Sequence, residues 1–109
     1  MIHLKGKKLT KSVNSYKTLI KIYGNIMAKK IKNRLDDLRA AETLEDTRYL
    51  PGRYHELVGD RKGQWACDLE HPKRLIFAPT VEPIPIDKDG KYKWSEIKEI
   101  IVLEIIDYH

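Results

Sequence analysis

The chain is expected to fold as an α+β domain, with N-terminal helices packed on a small, mainly antiparallel sheet. Three features of the sequence carry that expectation. Apolar residues recur at three- and four-residue spacing through Tyr16, Leu19, Ile20, Tyr23, Met27, Ile31, Leu35 and Leu38, the stripe of a helix that buries one face. From Arg53 onward, short β-branched and aromatic runs alternate with turns that contain Gly or Pro. The run 100–106 is the strongest strand signal in the chain, and only Glu104 interrupts it.

Taken in order, residues 1–5 alternate apolar and polar, as a short edge strand does, and Gly6 ends them. A first helix is expected over 7–13. Asn14 and Ser15 then offer capping side chains to a long helix over 16–41, which Gly24 can kink or divide. Thr43 and Asp46 stand at capping-box spacing and open a short third helix. Pro51-Gly52 closes the helical part. Strands follow at 54–58, 64–69 and 74–78, separated by a polar turn at 59–63 and by His71-Pro72, as in an antiparallel meander. Residues from 79 to about 99 read as an inserted loop with three prolines and one helical turn near its end. The final strand is expected to be central and buried on at least one face.

A chain of 109 residues makes one domain, 1–109, with a single modest core. At 41% hydrophobic residues it is not a disordered chain. No apolar run approaches the roughly 20 residues of a membrane span, and no secretory signal pattern opens the chain, so no membrane partner is expected. The one cysteine, Cys67, fits a reducing cytoplasm and reads as a packed core thiol rather than a nucleophile. The net charge of +5 hides an asymmetry. Residues 1–39 hold 11 Lys/Arg against 2 acids, whereas 40–109 hold 10 against 14. A basic first third suits a polyanion such as nucleic acid, although a solvated helix face explains most charge runs.

The candidates for chemistry are His55, Arg74, Asp107, Tyr108 and His109. Two imidazoles can serve as acid and base near neutral pH, an arginine can stabilise charge on a phosphate, and a tyrosine can stack on a base. That set suits RNA cleavage by the RNA's own 2′-hydroxyl, with no metal and no cofactor. The plainer readings are a structural histidine, a surface arginine and a solvated end. A zinc site would use His55, Asp107 and His109, but these lack clustered ligand spacing. His3 and His71 stand apart and receive no role.

The run from Arg53 through His55, Leu57, Gly59-Asp60-Arg61-Lys62-Gly63 and Gln64-Trp65, with Arg74-Leu75 and the closing Asp107-Tyr108-His109, resembles the HigB-like toxins of the RelE/ParE superfamily. Leu44-Glu45-Asp46 and Pro51-Gly52 also fit, and the inserted loop is like that of longer members named killer suppression protein. The resemblance implies a bacterial type II toxin with a RelE-like fold. Such a toxin binds the ribosome, cuts mRNA in the decoding site, and is neutralised by a HigA-like helix-turn-helix antitoxin. By carry-over, His55 matches the strand histidine and Arg74 the phosphate-contacting arginine. Asp107, Tyr108 and His109 match the terminal acid, tyrosine and histidine. Lys29, Lys32, Arg61, Lys62 and Lys73 are the cations expected to grip RNA or ribosome.

Two positions depart from the pattern. Val58 stands where relatives carry lysine, and Asp68 stands where they tend to carry arginine. Each cation lost from a phosphate site costs transition-state stabilisation of about 2–4 kcal/mol. Two other readings stand beside the ribonuclease, and these departures favour only the second. One is a ParE-like gyrase inhibitor without enzymatic activity. The other is a degenerate or regulatory binding module of the same fold.

Overall fold

The amphipathic stripe is realised as two helices rather than one. In the computed structural model, which describes residues 2–107, α1 spans Lys7–Val13, α2 Tyr16–Tyr23 and α3 Asn25–Ala40. Ser15 caps α2, its Oγ accepting from the Thr18 amide at 3.3 Å. Gly24 has φ +86°, a left-handed value that a side chain resists, so the chain turns there and the helix divides. Leu19, Met27, Ile31, Leu35 and Leu38 are buried as the spacing predicts. Tyr16 and Ile26 remain exposed. The capping box forms, with Thr43 and Asp46 bracketing a 3-10 turn over Leu44–Thr47 instead of an α-helix.

Five strands follow the expected order. They are β1 (Ile2–Leu4), β2 (His55–Glu56), β3 (Trp65–Asp68), β4 (Lys73–Pro79) and β5 (Ile100–Asp107). The sheet order is β1-β5-β4-β3-β2. β2 to β5 form an antiparallel meander, and β1 lies parallel to β5 at the edge, with Ile2 opposite Ile100. The central strand is therefore β4, and β5 lies one place from the edge, against expectation. Its apolar run comes from neighbours on both sides and from burial of one face, which a strand next to the edge also has. β2 is shorter than expected. Arg53 has φ +52° on one side of it, and a 3-10 turn over Gly59–Arg61 begins soon after it on the other. The ladder persists only through the Leu57 amide, which donates to the Gln64 carbonyl at 2.9 Å.

The three helices cover one face of the sheet. Trp65, Cys67, Leu75, Phe77 and Val102 face them and form one core with Met27, Ile31, Leu35 and Leu38. Each such side chain contributes on the order of 1.5–3 kcal/mol by leaving water. Alternate residues face the other way. Leu57, Ala66 and Ile76, with Leu103 and Ile106, make a small second cluster on that open face. Burial raises the Cys67 thiol to about 12, so it stays protonated and inert, as expected of a core thiol.

The stretch between β4 and β5 is anchored to the core. Trp94 begins a 3-10 turn over Trp94–Glu96, is buried, and meets the Trp65 ring edge-on at 5.9 Å. Its Nε1–H donates to Glu56 Oε2 at 2.7 Å, and the Arg48 guanidinium lies 3.9 Å from the ring centre. Ile86 bridges Tyr92, and the Asp87 carboxylate accepts the Asp89 and Lys91 amides in the turn between them. No described helix is long and apolar enough to cross a membrane.

The loop that leads into β2 passes close over α3. A Cβ on Gly52 would stand 2.4 Å from Arg34 Nε, and Gly52 has φ +114°. Arg34 is not free to retreat, because its Nε donates to the Asp68 carbonyl at 2.8 Å. Gly52→Ala is therefore expected to destabilise the fold by about 1–3 kcal/mol, read as a lower denaturation midpoint. An unchanged midpoint would mean that this close approach does not constrain the fold.

Candidate functional site

The register decides which of the candidate side chains can meet. His55 lies opposite Ala66, Asp68 opposite Arg74, and Arg74 opposite Ile106. Ala66 and Ile106 belong to the open-face cluster, so His55, Asp68 and Arg74 stand on that same face. Lys73 and Asp107 are opposite one another, in phase with Leu75 and Ile105, on the other side of the pleat. The five residues grouped by sequence are thus divided. His55 and Arg74 come together on the open face. Asp107 projects the other way and reaches the neighbourhood through Lys73, whose Nζ lies 2.6 Å from Asp107 Oδ1. Tyr108 and His109 lie outside the described residues.

Asp68 is the centre of this arrangement. Arg53 grips it with two bonds, Nε to Oδ2 at 3.0 Å and Nη2 to Oδ1 at 3.3 Å. Arg74 Nε approaches Oδ1 from the adjacent strand at 3.1 Å. The main chain of Asp68 is fixed as well, its amide donating to the Gly52 carbonyl at 2.6 Å and its carbonyl accepting from Arg34. Partial burial by itself would raise the Asp68 carboxyl. The Arg53 bonds and the charges of Arg53, Arg74 and His55 outweigh burial and hold it below the usual carboxylate range. A carboxylate so stabilised is a poor proton acceptor.

His55 has a defined tautomer. Its Nδ1 lies 2.6 Å from the Arg53 carbonyl oxygen, which can only accept, so Nδ1 carries the proton. In the neutral ring, Nε2 is then the atom that exchanges a proton. A cleft of about 320 Å³ opens at Asp68, lined among others by Arg53, Asp68, His71, Lys73 and Arg74, with His55 outside its wall. Two larger clefts, of about 560 and 580 Å³, flank the inserted stretch and share Lys62 and Tyr92. Neither is lined by Arg74, whereas the smaller cleft is, so an anion that meets Arg74 would sit at the smaller cleft.

The other expected cations are dispersed. Lys29 and Lys32 are exposed on α3, on the helical side of the sheet and away from His55, and Lys32 pairs with Asp36 at 2.7 Å. Arg61 bonds Gln64 and Glu104 on the open face, which accounts for the acid in the last strand. His3 pairs with Glu99 at 3.2 Å. Among the described residues, no three His, Cys, Asp or Glu side chains gather where they could hold a metal ion.

Sequence reasoning missed Arg53 and the position of Asp68. Arg53 owes its place to the left-handed turn after Gly52, and Asp68 by residue type alone is a lost cation rather than a partner. The one available signal is Pro51-Gly52-Arg53, one residue ahead of a candidate histidine, a turn that bends residue 53 back toward the strand.

No protein-family model matches the sequence, and no curated protein matches it. Solved structures do match in fold. A YoeB/ParE toxin from Agrobacterium tumefaciens aligns over 99% of this chain and 98% of its own, with TM-score 0.59 and 12% identity. The YoeB–YefM complex from Staphylococcus aureus aligns over 100% and 95%, with TM-score 0.55 and 16% identity. The YoeB dimer from Staphylococcus aureus aligns over 99% and 94%, with TM-score 0.54 and 18% identity. The chain has the fold of these toxins, with three helices on a five-stranded mixed sheet.

The electrostatics of Asp68 predict a pH dependence of stability. Its folded-state carboxyl lies below the ordinary value, so the unfolded chain binds more protons as pH falls through the carboxylate range. The stabilisation is present above about pH 4 and is lost below it. Denaturation midpoints from pH 6 to 3 should therefore fall more steeply for the native protein than for Asp68→Asn. Parallel curves would show that the clamp adds nothing to stability.

Proposed function

We propose that this protein is the toxin of a type II toxin–antitoxin pair and a ribosome-dependent endoribonuclease that cuts mRNA. The observation that carries the reading is His55. Its Nδ1 is fixed by a carbonyl and its Nε2 is available, and it shares an open sheet face with Arg74 in a fold of the YoeB/ParE kind. The YoeB–YefM pairing of a neighbour in fold supports an antitoxin partner for this chain, of the HigA-like helix-turn-helix type by its sequence resemblance.

The chemistry needs two proton transfers and one stabilised phosphorus centre. A base removes the 2′-hydroxyl proton, the oxygen attacks the adjacent phosphorus, and the bond to the 5′-oxygen breaks as an acid protonates it. The products are a 2′,3′-cyclic phosphate and a 5′-hydroxyl end. His55 Nε2 serves one transfer and His109 the other. Arg74 stabilises the charge that builds on the phosphoryl oxygens. Asp107, held by Lys73, orients the terminal residues, and Tyr108 stacks on a neighbouring base. The lysines of α3 contribute ribosome affinity from the other side of the molecule. No step calls for a metal or a cofactor.

A second reading, a binding module that does not cut, draws on Asp68, which neutralises part of the charge a phosphate would meet. Induction of the chain in a bacterial host, with growth followed and mRNA 5′ ends mapped, separates the two. The ribonuclease should arrest growth and create new ends within translated messages. His55→Ala and His109→Ala should each reduce cleavage by about 10²–10⁴-fold while remaining folded. Arrest without new ends would turn the reading toward gyrase inhibition or ribosome blockade, and no arrest from a folded protein toward the binding module.

Reversing the charge of Lys29 and Lys32 should weaken ribosome association and flatten its salt dependence. If association is unchanged, these lysines are only a solvated face.

A further inference from the structure

We propose that Arg53 and Arg74 form a two-guanidinium anion clamp that the Asp68 carboxylate holds closed, and that a substrate phosphodiester enters by displacing that carboxylate. The inference rests on the proposed reaction for its substrate class, but the clamp is argued from geometry alone.

The two arginines come from different parts of the chain, the left-handed turn before β2 and the central strand β4. They converge on one carboxylate, with three nitrogen–oxygen distances between 3.0 and 3.3 Å. A carboxylate and a phosphodiester both present two oxygens to a guanidinium fork, so the same donors that hold Asp68 suit a phosphate. The cleft lies at this point, with His71 and Lys73 in its wall. His55 stands on the same sheet face, with its fixed Nδ1 bonded to the main chain of Arg53 itself. A phosphate in the clamp would therefore lie on the same sheet face as the imidazole that handles the proton.

Charge sets the order of events. With Asp68 in place, the two guanidiniums and one carboxylate carry a net +1. With its charge removed, they carry +2. The main-chain anchors of residue 68, to Gly52 and Arg34, do not involve its side chain, so the carboxylate can swing aside without loss of the strand. Arg53 is exposed and can follow a new anion. The acid at position 68 thus acts as a specificity-determining residue. It excludes weak or small anions and yields only to a ligand held by additional contacts, such as an RNA strand seated by the ribosome.

The test is binding of inorganic phosphate, and of a trinucleotide with 2′-deoxyribose at the scissile position, followed by NMR of the arginine Nε–H groups of the folded, full chain. Asp68→Asn keeps the shape and removes the charge, and Asp68→Ala is the second variant should the amide find a partner of its own. Native protein should bind phosphate weakly. Both variants should bind it at least tenfold more tightly, with the Arg53 and Arg74 signals shifting together. Adding Arg53→Ala or Arg74→Ala to Asp68→Asn should abolish the gain. Equal affinity in native and Asp68 variants would overturn the proposal, as would a gain that survives loss of either arginine. The readout needs neither ribosome nor cleavage. A protein that fails to cut mRNA can still pass it, and an active ribonuclease can still fail it.

Discussion

Strand β4 is paired along its whole length, and its register with β3 and β5 decides the faces on which Asp68, Arg74 and Asp107 stand. Side chains alternate across a sheet, so a slip of one residue would carry Arg74 into the helical layer and Leu75 onto the open face. The buried set of Leu75, Phe77, Cys67 and Val102 forbids that slip. The irregularity between Ile76 and Phe77 lets Val102 and Ile105, three residues apart in β5, both face the helices on either side of the step. Leu103, at the step, joins the open-face cluster. The core thus specifies the site from beneath, since its register is also the register of Asp68 and Arg74.

The open face shows how charge is arranged once that register is set. It is not a plain basic patch. Asp68 sits between Arg53 and Arg74, and Glu104 beside Arg61, so much of the positive charge is matched by nearby carboxylates. Lys73 and Asp107 repeat the pattern on the other pleat. Exposed pairs of this kind add little stability each, about 0–1 kcal/mol. Their importance is positional, because each holds a cation at a known place with a counter-charge that a ligand can replace. Arg53 has the most unusual backbone of them. It keeps a left-handed backbone without being glycine, and that conformation lets one residue bond Asp68 with its side chain and His55 with its carbonyl.

The inserted stretch serves the fold more than the site. Trp94 and Tyr92 pack on Trp65, and Trp94 ties to Glu56 at the far edge of the sheet. β2 pairs through only two residues, so this contact and the Leu57 amide hold the edge strand that carries His55. The insertion therefore bears on the site indirectly, by steadying the strand that carries the candidate histidine.

Much of this was legible in the amino-acid order, because helices and strands announce themselves by local periodicity. The stripe from Leu19 to Leu38, the break at Gly24, the capping box at Thr43 and Asp46, the meander and the buried thiol of Cys67 all follow from neighbours in sequence. So did the candidacy of His55 and Arg74, from residue type and from resemblance. The parallel pairing of β1 with β5, the central place of β4 and the opposed pleats of Arg74 and Asp107 were not legible. They depend on contacts between residues far apart in the chain. Asp68 shows the difference most plainly. Read alone it is a missing cation, and only a strand register and a left-handed turn, neither encoded by spacing, turn it into the carboxylate that two arginines share.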